Sequence, residues 1–214
     1  EPLRQHISPA SASDAPNGWT MPTAEAVDGP RAPAITATVN GELLTCPDNC
    51  IDGLVELIKS ADDELLLSLQ YLDMDWSWGW GDNPIFTALK ESAESGVAVR
   101  LIINGAYLDQ DVQDVVDTFN EVWNSSDGLD VAAIVMSEDD NVTKLHNKGL
   151  IIDQETVLVS SINWGDSAVN RNREMGLVMT STEVATHYRE AWIDDWMRLD
   201  NVTDTDQDGM PDIW

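Results

Sequence analysis

Apolar residues recur along this chain with two periods, and the alternation between them predicts its elements. Ile35–Val39 alternates and reads as a strand, with Asn40-Gly41 as a turn after it. Ile51, Leu54, Val55, Leu57 and Ile58 then form one helical face, with Asp48 or Asn49 as candidate caps. Glu64–Tyr71 is a continuous apolar run of strand length, and Asp73–Asp82 reads as a loop. A helix is predicted over Pro84–Ser95, closed by Gly96, and a buried strand over Val97–Ile103. Val112, Val115, Val116, Phe119 and Val122 mark a helix within Asp111–Trp123. Asp130–Val135 follows as a strand, and Glu138–Asn141 as an acidic loop. Lys144–Asp153 and Thr156–Ser160 read as two strands joined at Asp153-Gln154-Glu155. Met175–Met179 is a further strand, and Ser181–Leu199 a helix with Val184, Tyr188, Trp192 and Trp196 on one face.

Strand and helix therefore alternate, then give way to a hairpin, a strand and a final helix. This is α/β, with a largely buried mixed sheet sandwiched between helices. It occurs once, without an internal repeat. Residues 1–33 are rich in Pro, Ala, Ser and Asp without apolar periodicity and read as an extended arm or linker. Residues 34–200 form the folded domain, and 201–214 an acidic tail.

Chemistry concentrates in Lys144–Glu174. His146 and Lys148 are two apart, so on a strand both face the same side and can meet one phosphate. Asp153 closes the run, Ser160-Ser161-x-Asn163 follows, and Asn172-x-Glu174 comes later. Imidazole can attack phosphorus, ammonium can hold phosphoryl oxygens, and hydroxyl and amide groups can donate to developing charge. A carboxylate on the other ring nitrogen fixes the histidine tautomer.

These spaced elements resemble the phospholipase D superfamily, whose hallmark is H-x-K-x4-D followed by small-Ser-x-Asn and an acid. The resemblance implies a phosphodiesterase or phosphatidyl transferase working through a phosphohistidine, with no catalytic metal. His146 would be nucleophile or general acid, and Lys148 and Asn163 phosphate ligands with Ser161 beside them. Glu174 would orient the histidine, and Asp153 would be structural. Serine at position 160 departs from the family's usual glycine. The family's site joins two such motifs, and this chain carries one, since neither His6 nor His187 has a lysine two residues on. The second half would come from an upstream domain or from a homodimer mate, as in the family's small endonucleases. A non-catalytic anion-binding scaffold is the rival from another class.

Composition narrows the partners. The net charge is −28, from 39 acidic and 11 basic residues. That opposes an extended basic groove for nucleic acid, favours phospholipid as substrate, and fits a high-salt setting. No apolar run is long enough to span a membrane. Trp76, Trp78 and Trp80, in the loop after a buried strand, are candidates for a substrate entrance or peripheral membrane contact. Asp204, Asp206, Asp208 and Asp212 repeat as in a calcium loop, which predicts a structural calcium ion. Cys46 and Cys50 are spaced for a short disulfide, and Asn124, Asn141 and Asn201 head N-x-[ST] triplets. Together these features lead us to expect a secreted or cell-surface protein.

Overall fold

The computed structural model describes residues 34–76, 82–106, 110–136 and 144–197. The candidate calcium loop at Asp204–Asp212, together with Trp78, Trp80, Asn141 and Asn201, lies outside them.

Seven strands form one mixed sheet in the order β1-β7-β6-β5-β2-β3-β4. They are β1 (Asn40–Thr45), β2 (Glu64–Leu69), β3 (Ala98–Asn104), β4 (Val131–Met136), β5 (Lys148–Ile152), β6 (Thr156–Ser160) and β7 (Met175–Thr180). Strands β2, β3 and β4 run parallel. Strands β5, β6, β7 and β1 add antiparallel to the other side of β2. One face carries the larger core, which includes Leu54 and Ile58 of α1 (Cys50–Lys59), Ile85 and Leu89 of α2 (Pro84–Glu94) and Val112 and Val115 of α3 (Gln110–Asp117). On the other face Val184, Trp192 and Trp196 of α5 (Thr182–Met197) pack with Leu66, Ile102 and Ile151. A short α4 (Asp166–Asn170) follows β6. The predicted α/β sandwich is the observed one, and β2 is buried along its whole length because helices cover both faces.

Several local expectations are corrected. Asn40-Gly41 is not a turn: it opens β1, whose residues pair with Thr180 and Met179 at the free edge of β7. Asn49 stands at the N-cap of α1, but neither predicted cap bonds the helix through its side chain. Asn49 turns its Oδ1 back to the Thr45 amide at 2.7 Å, and Asp48 pairs with Arg173. The helix at 110 widens into a π-helical stretch over Thr118–Ser126. There the Asn120 amide bridges both backbone groups of Ala133 and Asn124 donates to the Val131 carbonyl, so contact with β4 outweighs regular helical bonding. The Asn124 Nδ2 that a glycan would require is thereby engaged in the fold. Tyr188 is 40% exposed rather than part of the buried face of α5. Helix α4 is too short to leave a periodic signal.

One carboxylate fixes the register around β5. Asp153 accepts from the amides of Asp62, Asp63 and Glu64 at 2.9, 2.9 and 2.8 Å. Its own N–H donates to the Glu64 carbonyl at 3.1 Å. These bonds hold Asp153 and Gln154 at φ of 49° and 57°, a region that side chains disfavour. Arg189 of α5 adds an ion pair to the Glu64 side chain at 3.0 Å. Replacing Asp153 by Ala should cost about 1–3 kcal/mol by urea unfolding, because three donors lose their acceptor. Asp153→Asn, keeping one oxygen, should fall between the two. Equal stability of Asp153→Ala and the parent chain would contradict the latch.

Candidate active site

The site lies where β2 and β6 end and β5 and β7 begin. His146 and Asn147 precede β5, with Asn147 continuing the ladder by accepting from the Gln70 amide at 3.0 Å. His146 is exposed and Lys148 is buried. Lys148 Nζ stands 3.3 Å from His146 Nδ1 and donates to the His146 carbonyl at 2.8 Å. Its third partner is Gln70 Oε1 at 2.5 Å.

Gln70 is the residue that the sequence reading missed. It is itself buried, and it follows the last residue of β2, which pairs with Lys148. No carboxylate forms an ion pair with Lys148 among the described residues, so two neutral oxygens and the His146 ring nitrogen hold this cation. No bound carboxylate competes with an incoming anion for this ammonium, although burial without a counter-ion makes its charge costly. Burial and Lys144 push the Lys148 pKa down, while Glu174 pushes it up. The Lys148 ammonium in turn holds His146 below the usual histidine value.

The geometry also sets the histidine's proton. Lysine ammonium only donates, so the adjacent Nδ1 acts as acceptor and the ring proton sits on Nε2. In that tautomer Nε2 has no lone pair to offer phosphorus. A nucleophilic Nε2 requires an acceptor at Nδ1 instead. Glu174, expected to fill that role, makes no hydrogen bond to His146. Strand β6 stands between β7 and β5, and across it the Glu174 carboxylate takes Ser161 Oγ and, at 3.3 Å, Asn172 Nδ2.

The other motif residues divide by role. Ser160 uses its hydroxyl locally: Oγ donates to the Lys148 carbonyl at 2.7 Å and accepts from the Ile162 amide. Serine at the family's usual glycine position thus ties β6 to β5. Asn163 has its Oδ1 buried without a partner. Asp153 sits at the opposite end of β5, away from His146. Trp76 does not line the cleft at His146. It is half-buried against the core beneath α1–α3, because the Asp75–Asp82 bridge draws the loop ends together.

A cleft of about 290 Å³ runs from His146 and Asn147 between α5 and the sheet, past Ser68, Val159 and Tyr188. Behind Glu174, the Cys46–Cys50 disulfide closes a tight turn. Cys46 N–H donates to the Glu174 carbonyl at 3.0 Å, and Asp48 of the same turn pairs with Arg173.

Two measurements test these contacts. In an NMR titration, His146 should lose its proton below pH 6.5, and Lys148→Met should move the midpoint upward. An unmoved midpoint would remove Lys148 as the cause. Gln70→Glu would set a carboxylate against the ammonium, and binding of inorganic tungstate should weaken about tenfold. Unchanged tungstate affinity would show that Lys148 does not depend on a neutral partner.

Known proteins share this architecture. The family model described as "Cardiolipin synthase, PLD-like domain" matches residues 54–196. A phospholipase D of Rickettsia prowazekii is 27% identical over 148 residues, 69% of this chain and 63% of the relative. The chain therefore spans somewhat less than two thirds of that relative. A mitochondrial cardiolipin hydrolase of Mus musculus is 30% identical over 69 residues, 32% of this chain and 31% of that protein. Among solved structures, NucT from Helicobacter pylori superposes with a TM-score of 0.58 at 17% identity, covering 75% of this chain and 97% of that one. Nuc from Salmonella typhimurium, a phospholipase D family member, gives 0.58 at 20% identity, covering 75% and 95%. With the family model matching well over half of its residues, the chain belongs to the phospholipase D-like domain family.

Proposed function

We propose that this chain supplies one half of a phosphodiesterase or phosphatidyl-transferase site that works through a phosphohistidine on His146. The observation that carries the reading is the buried Lys148 ammonium, held by neutral oxygens 3.3 Å from the imidazole. Substrate phosphate would take over Lys148, aided by the Asn163 amide and Ser161 hydroxyl. The imidazole then needs a carboxylate at Nδ1, which the second half provides, while Glu174 serves the second half's histidine in return.

The steps balance as follows. Once the ring proton has moved from Nε2 to Nδ1, where the second half's carboxylate accepts it in a hydrogen bond, the Nε2 lone pair attacks phosphorus, the P–O bond to the leaving alcohol breaks, and that alcohol takes a proton from the second histidine. Water or an acceptor alcohol then attacks phosphorus and gives its proton to that same histidine. The P–N bond returns its electrons to His146. The proposed chemistry draws its positive charge from Lys148 and calls on no catalytic metal.

Phospholipid is the proposed substrate. The net charge of −28 opposes the polyanionic backbone of nucleic acid, and the cleft beside His146 has apolar walls. The names of the phospholipase D and cardiolipin hydrolase relatives support the same choice. An oxidising, extracellular location is part of the proposal, supported by the Cys46–Cys50 disulfide.

His146→Asn should lower turnover of bis-p-nitrophenyl phosphate by about a thousandfold or more, as loss of a nucleophile does. Acid quenching of the wild-type reaction should leave a phosphoramidate on a histidine, detected by mass spectrometry. Tungstate binding without any turnover would favour an anion-binding domain. Faster cleavage of oligonucleotides than of micellar phospholipid would overturn the substrate assignment.

A further inference from the structure

The face of the sheet beneath α5 is built in rows, and two neighbouring rows differ in height. Register sets Leu66 of β2 beside Ile151 of β5, and Ile151 beside Val157 of β6. These three side chains are tall and pack with α5 in the smaller core. Two residues nearer His146, the next row on the same side is Ser68, Gly149 and Val159. Ser68 is small and Gly149 has no side chain, so the sheet falls short of the helix there. A Cβ at Gly149 would meet only the Leu158 carbonyl oxygen within 4 Å, at 3.3 Å. Helix α5 does not sink into the gap. Trp192 Nε1 donates to the Leu67 carbonyl at 3.0 Å, and the Trp192 ring stacks on Trp196.

This shortfall is the origin of the cleft of about 290 Å³, which opens at His146 and Lys148 and continues over Ser68 and Gly149. Val159 forms one side, and Tyr188 and Ala191 of α5 form the other. Val159 and Tyr188 are 38% and 40% exposed, although both are large and apolar in body. In a chain with 39 acidic residues, Asp195 is the one acid among the described residues that line the cleft. The cleft therefore has a cationic end and a largely apolar length. A ligand divided in the same way, an anion joined to an apolar chain, would satisfy both parts.

We propose that this cleft is a subsite for a single alkyl or acyl chain carried by the substrate phosphate, so that chain length sets how well a diester binds. The inference rests on the phospholipid reading above and deepens it. Three observations choose the occupant. His146 and Lys148 line the cleft themselves, so a chain attached to a phosphate at Lys148 enters it directly. A chain lying over Ser68 and Gly149 would take Val159 and Tyr188 out of water. At about 290 Å³ the cleft stands at the lower end of ligand-sized cavities, with room for one chain and not for two. Single-chain phosphodiesters of the lysophospholipid kind therefore fit it best, and a second acyl chain stays outside.

Displacement of bound tungstate from the full chain tests the subsite without turnover. The competitors are dimethyl, methyl octyl and dioctyl phosphate, all below micellar concentration and all of one charge. From dimethyl to methyl octyl phosphate, Kd should fall at least about a hundredfold, because each methylene taken out of water is worth about a fourfold change. Dioctyl phosphate should gain less than about threefold more, since its second chain finds no room. Ala191→Phe sets a ring on the exposed wall of the cleft, and the ratio of the first two affinities should shrink at least about tenfold. Ser68→Leu, which raises the floor, should shrink it in the same direction, and the wild-type series decides the matter should neither variant fold. Equal displacement by dimethyl and methyl octyl phosphate overturns the proposal and leaves the half-site standing. The same equality in a chain that sediments as a dimer overturns it too and gives the cleft to a second copy. A second octyl chain that gains as much as the first overturns the single-chain assignment. Tungstate that does not bind at all removes the half-site, and the subsite with it.

Discussion

The Asp153 carboxylate, shared among three successive backbone amides, is the interaction on which the rest of this structure depends. It joins the end of β5 to the start of β2 and thereby decides how the antiparallel half of the sheet meets the parallel half. With Ile152 set against Leu65, the pairing runs on to place Lys148 against Leu69. Gln70 then lies within reach of the ammonium. A slip of one residue would turn Lys148 to the other side of the sheet. The aspartate of the motif thus works from the far end of the strand, through register.

Electrostatics in the site follow from that placement. A buried cation is costly unless its donors are satisfied, and here two neutral oxygens and the His146 ring nitrogen satisfy them. The arrangement leaves the charge available and fixes the proton of His146 on the nitrogen that should attack. On the proposed reading, the half-site can hold a phosphate but needs a second half to cleave its ester. On that reading the acceptor for His146 Nδ1 comes from outside this half-site, because Glu174 is engaged by Ser161 and Asn172.

Much of this was legible in the sequence, and the limits have physical causes. Period-2 and period-3.6 patterns reveal which segments bury a face, so the helices over 50–59 and 84–94 and the strands over 64–69 and 98–104 could be read directly. The approach of His146 to Lys148 could be read from their spacing because it is local. Gln70 could not be read, since its contact with Lys148 spans 78 positions and only the pairing of β2 with β5 creates it. That Glu174 bonds Ser161 and Asn172 rather than His146 could not be read for the same reason: the order of strands in the sheet, with β6 between β7 and β5, is not a local signal. Asn40-Gly41 failed as a turn because the edge of β7 offered hydrogen bonds that a hairpin would have forgone. At Thr118–Ser126, asparagine bridges to β4 overrode a helical pattern that was otherwise regular.

The turn at Cys46–Cys50 supports Glu174 by three bonds of different physical kinds. The Asp48–Arg173 ion pair is exposed, so concentrated salt strips it of most of its strength. The amide bond from Cys46 to the Glu174 carbonyl and the covalent sulfur bridge do not depend on ionic strength in that way. In dilute buffer the three are redundant. In brine the support passes to the covalent and backbone bonds, so the acid beside Ser161 keeps its footing where the charged surface around it loses its hold.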